Sequence, residues 1–176
     1  MNKAILQTFG AALAAGVFLS AGAFAQQVGS ADMQFAQKAA QGGMAEVQLG
    51  QLAVQNASSD QVKQFGQKMV DDHSKANDEL KALASQENMT LPTSLNAKDQ
   101  ATVTRLSNLK GAAFDKAYMR DMVKDHQMDI ADFQKEANGG SDSGLKSFAT
   151  KTLPTLQEHL RMAKEASSSV GAMSRK

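Results

Sequence analysis

The chain has 176 residues, with 19 Lys and Arg against 18 Asp and Glu, two Pro, no Trp and no Cys. So balanced a charge gives no footing for nucleic acid or an anionic membrane surface as partner. The lack of Cys excludes disulfides, a lipid-modified cysteine and thiol chemistry.

Residues 1–25 read as a cleavable signal peptide. Lys3 supplies a short positive start, Phe9 to Leu19 (FGAALAAGVFL) a compact apolar stretch, and Ala23-Phe24-Ala25 a small-x-small cleavage signal. Cleavage after Ala25 would leave a neutral mature chain that begins at Gln26 and is periplasmic or secreted from a bacterium. The apolar stretch is short for a bilayer span, which takes about 20 residues. No later segment predicts a span either. Residues 26–168 are then expected to form one domain, with 169–176 a flexible tail.

Abundant Ala, Gln, Lys and Leu favour helix over sheet throughout that domain. The first long helix is predicted to start at Ser30 or Asp32 as N-cap and to end near Gln55. Its inward stripe reads Phe35, Ala39, Gly42/Gly43, Glu46, Gly50 and Ala53, at steps of three and four. Glycine inside a helix costs about 1 kcal/mol against Ala, which suits close approach of another backbone or a bound group. Packing through small residues does not explain the carboxylate of Glu46 between them.

Asn56 to Ser59 is a tight turn, and Ser59 or Asp60 starts a second long helix that ends near Asn88. Its stripe is Val62, Phe65, Met69, His73, Ala76/Asn77, Leu80 and Ala84. A long connection from Met89 to about Lys110 holds Pro92 and a short helix around Asp99 to Leu109. The third long helix, Gly111 to Ala137, turns Phe114, Tyr118, Met122, His126, Ile130, Phe133 and Ala137 inward. Asn138-Gly139-Gly140 ends it, and Ser141 or Asp142 caps the fourth. That helix aligns Leu145, Phe148, Thr152, His159, Met162/Ala163 and Ala166. Pro154 predicts a kink about one turn before His159, and the chain is expected to fray from Ser167.

An internal repeat relates the second and third long helices. Phe65-x-x-x-Met69-Val70-x-Asp72-His73 returns as Tyr118-x-x-x-Met122-Val123-x-Asp125-His126. The pattern predicts an all-α, pseudo-symmetric four-helix bundle with a long connection between helices two and three. That connection has room for a crossover that makes those helices parallel; a simple up-down-up-down bundle is the alternative.

The chain's three histidines each follow an acid (Asp72-His73, Asp125-His126, Glu158-His159) and each sits mid-way along an apolar stripe. With Glu46 they give one metal-capable side chain per long helix, at matching heights to within about 6 Å from a rise of about 1.5 Å per residue. Imidazole and carboxylate are ligands for Zn, Fe, Mn or Cu, and bundle cores are where such sites are built. The sequence therefore predicts one transition-metal ion held by Glu46, His73, His126 and His159. The competing reading is a buried polar network that only sets helix register. Asp72, Asp125 and Glu158 point about 100° from their own histidines. They are candidates to orient a histidine on a neighbouring helix, or else form a salt-bridged rim. Met69, Met122 and Met162, one turn from each histidine, suit copper or plain core filling. No nucleophile on a strained turn, phosphate loop or basic aromatic patch is present, so an enzyme is not expected. Protein partners are not specified, and a homo-oligomer is compatible with the sequence.

The run from Phe35 through Glu46, MVDDH at 69–73, Gly111-x-x-Phe114-Asp115, MVKDH at 122–126 and Leu153-Pro154-x-Leu156-x-x-His159-Leu160 together resemble the exported bacterial family called domain of unknown function 4142. The likeness covers nearly the whole mature chain. It implies a ferritin-like four-helix bundle and no established activity. Di-iron ferritin-like proteins use a Glu from each of two helices and Glu-x-x-His from each of the others. Here Val70, Val123 and Leu156 stand three before the histidines, so ferroxidase activity is not implied. The expected function is an exported metal-binding or stress-associated protein; the alternative is a non-catalytic structural or interaction module.

Overall fold

Asn96 turns its side chain back to accept a hydrogen bond from the Asp99 amide at 2.9 Å and so caps the short helix expected within the long connection. In this computed structural model, which describes residues 28–173, that helix is one of five, and the described residues contain no strand. The helices are α1 (Ser30–Asn56), α2 (Asp60–Gln86), α3 (Ala97–Ser107), α4 (Gly111–Gly139) and α5 (Ser143–Met173). The predicted signal peptide and its cleavage site lie outside the described residues.

Short turns fold α1 on α2 and α4 on α5 as antiparallel hairpins. The direction of one hairpin against the other follows from side-chain pairs. Phe35 meets Phe133 edge-on at 4.9 Å while Glu46 meets His126, so α1 and α4 run oppositely. Glu79 pairs with Lys151 and Asp72 with His159, so α2 and α5 also run oppositely. It follows that α2 and α4 are parallel. The chain must then travel back along the bundle between them, and of the two topologies open to the sequence the molecule uses the crossover.

Two buried aspartates fasten each hairpin to the turn of the other. Asp115, at the start of α4, accepts from the Ser58 and Ser59 amides at 3.1 and 3.0 Å and from the Ser58 hydroxyl at 2.6 Å. Asp32, at the start of α1, accepts from the Ser141 and Asp142 amides, the latter at 2.8 Å. Asp32 was expected as a candidate N-cap of its own helix. That position falls to Gly29, and the carboxylate satisfies amides of a distant turn instead. Asp142 caps α5 as expected, accepting from the Leu145 amide at 2.8 Å.

Glycine matters where α1 touches α2. A Cβ on Gly50 would stand 2.6 Å from the Gly66 carbonyl oxygen, and one on Gly66 would stand 2.5 Å from the Ala53 Cβ. Only hydrogen at both positions lets these backbones approach. Helix α5 continues through Pro154 to Met173, past the point where fraying was expected. Val170 extends the Ala163–Ala166 stripe and is buried among apolar neighbours, which holds the last turns in place.

The described residues form two apolar clusters. One contains Leu49, Phe65, Met69, Phe114, Tyr118, Met122 and Ala166; the other contains Phe35, Leu80, Phe133, Leu145, Phe148 and Leu156. Between them along every long helix lies a polar layer of Glu46, His73, His126 and His159, all buried.

Candidate metal centre

Helical periodicity directs three imidazoles from three helices into that layer: His73 from α2, His126 from α4 and His159 from α5. Their ring centroids are 5.4 to 5.9 Å apart, and one nitrogen from each lies within 4.8 Å of the other two. His73 Nε2, His126 Nε2 and His159 Nδ1 are all buried without a hydrogen-bond partner. Unsatisfied buried nitrogens are uncommon in a packed core; three in one layer of clustered rings are what a cation could satisfy.

The opposite edges of two rings set their tautomers. His126 Nδ1 lies 3.0 Å from the Met122 carbonyl oxygen, which can only accept, so Nδ1 carries the hydrogen and Nε2 keeps its lone pair. His159 Nε2 donates to Asp72 Oδ2 at 2.7 Å, leaving Nδ1 with the free lone pair. Lys68 holds the same Asp72 oxygen at 2.9 Å. Asp72 therefore both joins a salt bridge and orients a histidine across the α2–α5 interface, an arrangement that raises ligand basicity in metal sites.

Burial and the charges of its fellow imidazoles push His73 down to about 3. Burial and His159 push His126 down to about 4. Burial also lowers His159, against the opposing pull of Asp72. Burial alone would raise the Asp72 carboxyl; hydrogen bonds from His159 and Lys68 outweigh it and hold the carboxyl below its usual range. At neutral pH the centre thus offers three neutral imidazoles, the form that binds metal.

Glu46, expected as the fourth ligand, stands beside this triad. Its Oε1 is 3.9 Å from His126 Nδ1, the nitrogen already engaged by Met122, and its carboxylate groups with those of Asp125 and Asp129. Helix α1 adjoins α2 and α4 but lies diagonal to α5, so its inward carboxylate meets α4 first. Asp129 was not singled out from the sequence. Its only local signal is that it follows Asp125 by one helical turn and so shares its face. Glu158 is exposed and paired with Arg161, away from the histidines. Met69, Met122 and Met162 belong to the apolar cluster on one side of the layer.

A zinc–imidazole bond is about 2.0–2.1 Å long, so tetrahedral ligand nitrogens sit about 3.3 Å apart. Closing from within 4.8 Å to that spacing takes side-chain rotation of three rings on helices already in place. Three imidazoles leave a fourth position for water or another small ligand. A groove of about 130 Å³ between α2 and α5, lined by Lys75, Glu79, Lys151 and Thr155, reaches His73 and His159 and provides a route to it.

The fold is similar to the crystal structure of a DUF305 fragment from Deinococcus radiodurans, with a TM-score of 0.71 and 14% sequence identity over 84% of this chain and 99% of that one. At that identity the likeness speaks for the fold alone. No curated protein matches the chain. The family model that does match covers residues 19–166, a span that includes every residue of the polar layer, and the chain belongs to the family described as Domain of unknown function (DUF4142).

Proposed function

We propose that this is an exported, ferritin-like four-helix-bundle protein that binds one transition-metal ion through His73 Nε2, His126 Nε2 and His159 Nδ1. The observation that carries the reading is the convergence of three buried imidazoles, one nitrogen of each within 4.8 Å of the other two, on rings that each keep a buried nitrogen without a hydrogen-bond partner among the described residues. An all-imidazole set with an open position suits Zn or Cu, and also Fe. The proposed role is binding. A stress association would then be that of a protein that sequesters or buffers a metal. Export rests on the N-terminal pattern, and a mature chain that begins at Gln26 in the periplasmic fraction is its check.

The competing reading is a polar layer that fixes helix register, favoured by the Lys68–Asp72–His159 chain, which ties α2 to α5 without metal. Zinc titration by calorimetry, with melting followed in parallel, separates the two. Under the metal reading, wild type takes up one ion per chain and melts higher with it, whereas His126→Ala does neither. Under the register reading, zinc affects neither protein, and His126→Ala loses about 1–3 kcal/mol from the groups left unpaired. A His126→Ala variant that binds zinc as wild type does overturns the proposal.

A further inference from the structure

Glu46 is wholly buried, and among the described residues neither of its carboxylate oxygens has a hydrogen-bond donor. Beside His126 Nδ1, at 3.9 Å, its polar neighbours include two acids. Oxygens of Asp125 and Asp129, one turn apart on α4, lie within 4.8 Å of a Glu46 oxygen and of each other. Carboxylates held this close and partly out of water disfavour one another's charge. Of the nearby basic groups, Lys38 pairs with Asp132, Arg105 with Asp121, and His126 Nδ1 donates to Met122; Lys98 offsets part of the charge on Asp129 without forming an ion pair with any of the three carboxylates.

We propose that Glu46, Asp125 and Asp129 form a second cation site, for one hard divalent ion, on the opposite edge of the His126 ring from the three-histidine centre. An all-oxygen donor set selects Mn, Mg or Ca over the softer metals that imidazole prefers. Glu46 supplies the buried anchor, and the half-buried Asp125 and Asp129 supply the side that exchanges with solvent. A groove of about 240 Å³ between α1, α3 and α4, lined by Lys98, Asp99, Arg105, Asp121 and Lys124, reaches the cluster at Asp125. The crossover helix thereby acquires a role, since it carries Asp99 to the mouth of that groove. Burial and the neighbouring acids raise the Glu46 carboxyl well above its usual range, and burial with Asp125 and Asp132 pushes Asp129 up to about 8. Both displacements are of the kind that a bound cation reverses.

The test is titration of the metal-free full chain with Mn²⁺, with free Mn²⁺ read by electron paramagnetic resonance. Wild type, Glu46→Gln, Asp129→Asn and His159→Ala are compared. One Mn²⁺ per chain is expected in wild type and in His159→Ala, with affinity weakened about tenfold or more in the two carboxylate variants. Asp129 is less buried than Glu46, so Asp129→Asn keeps the test decisive if Glu46→Gln fails to fold. No saturable uptake by wild type overturns the proposal, as does equal uptake by Asp129→Asn. Loss of Mn²⁺ in His159→Ala would also overturn it, because the ion would then sit among the imidazoles. The zinc experiment above reads the three-histidine centre independently.

Discussion

Replacing His73 with Leu should change how stability responds to acid, by an amount the burial of the ring sets. His73 is 7% exposed and pushed from its ordinary 6.5 to about 3. Its folded-state value is thus depressed, so the unfolded chain takes up the proton first as pH falls. Its contribution is intact above about pH 6.5 and is lost progressively between 6.5 and about 3. Each pH unit in that window is worth about 1.4 kcal/mol, so at pH 5 wild type should have lost about 2 kcal/mol relative to the variant. Taking the difference between the two proteins cancels the opposite-signed linkage of Glu46 and Asp129. Those carboxyls are raised in the folded state, so they favour folding at low pH and lose that contribution as pH rises. The assay is urea denaturation of both proteins at pH 7.5 and 5.0 with chelator present, read by helical circular dichroism. A difference constant to within about 0.5 kcal/mol between the two pH values would refute the reasoning, because it would mean that His73 titrates in the folded bundle as it does in the unfolded chain.

The close approach of α1 and α2 predicts that Gly66→Ala destabilises. The added methyl meets the Ala53 Cβ and the Gly50 carbonyl oxygen, neither of which can swing aside. Overpacking of about 1–3 kcal/mol outweighs a helix-propensity gain of about 1 kcal/mol. Gly42→Ala, which would meet nothing within 4 Å, should gain stability of about that propensity; melting temperatures compare the two, and a Gly66→Ala protein that melts above wild type would defeat the packing argument. Asp115→Ala should cost about 2–3 kcal/mol by releasing the Ser58 and Ser59 amides, with faster hydrogen exchange at those two amides as the local readout; unchanged exchange there would show that the carboxylate does not hold the turn.

Apolar steps of three and four were enough to locate the four long helices and to bring His73, His126 and His159 to one inward layer, because a 3.6-residue period reports which face of a helix is buried. Asn138-Gly139-Gly140 and the turn at 56–59 were legible for the same local reason. That period does not report which helix lies opposite a given face. The crossover, with α2 and α4 parallel, was therefore one of two open topologies until the Phe35–Phe133 and Asp72–His159 pairs settled it. Asp115 acts 57 residues away on Ser58, and Asp32 acts 109 residues away on Ser141. Nothing local to either aspartate marks it for that task. Glu46 shows the division most directly. Its inward position could be read from the spacing of Phe35, Ala39 and Ala53, but its partners could not, because they depend on α1 lying beside α4 and diagonal to α5. Sequence alone determined that a carboxylate would be buried at mid-bundle; only the packing of the helices decided that it meets Asp125 and Asp129 instead of completing the ring of imidazoles.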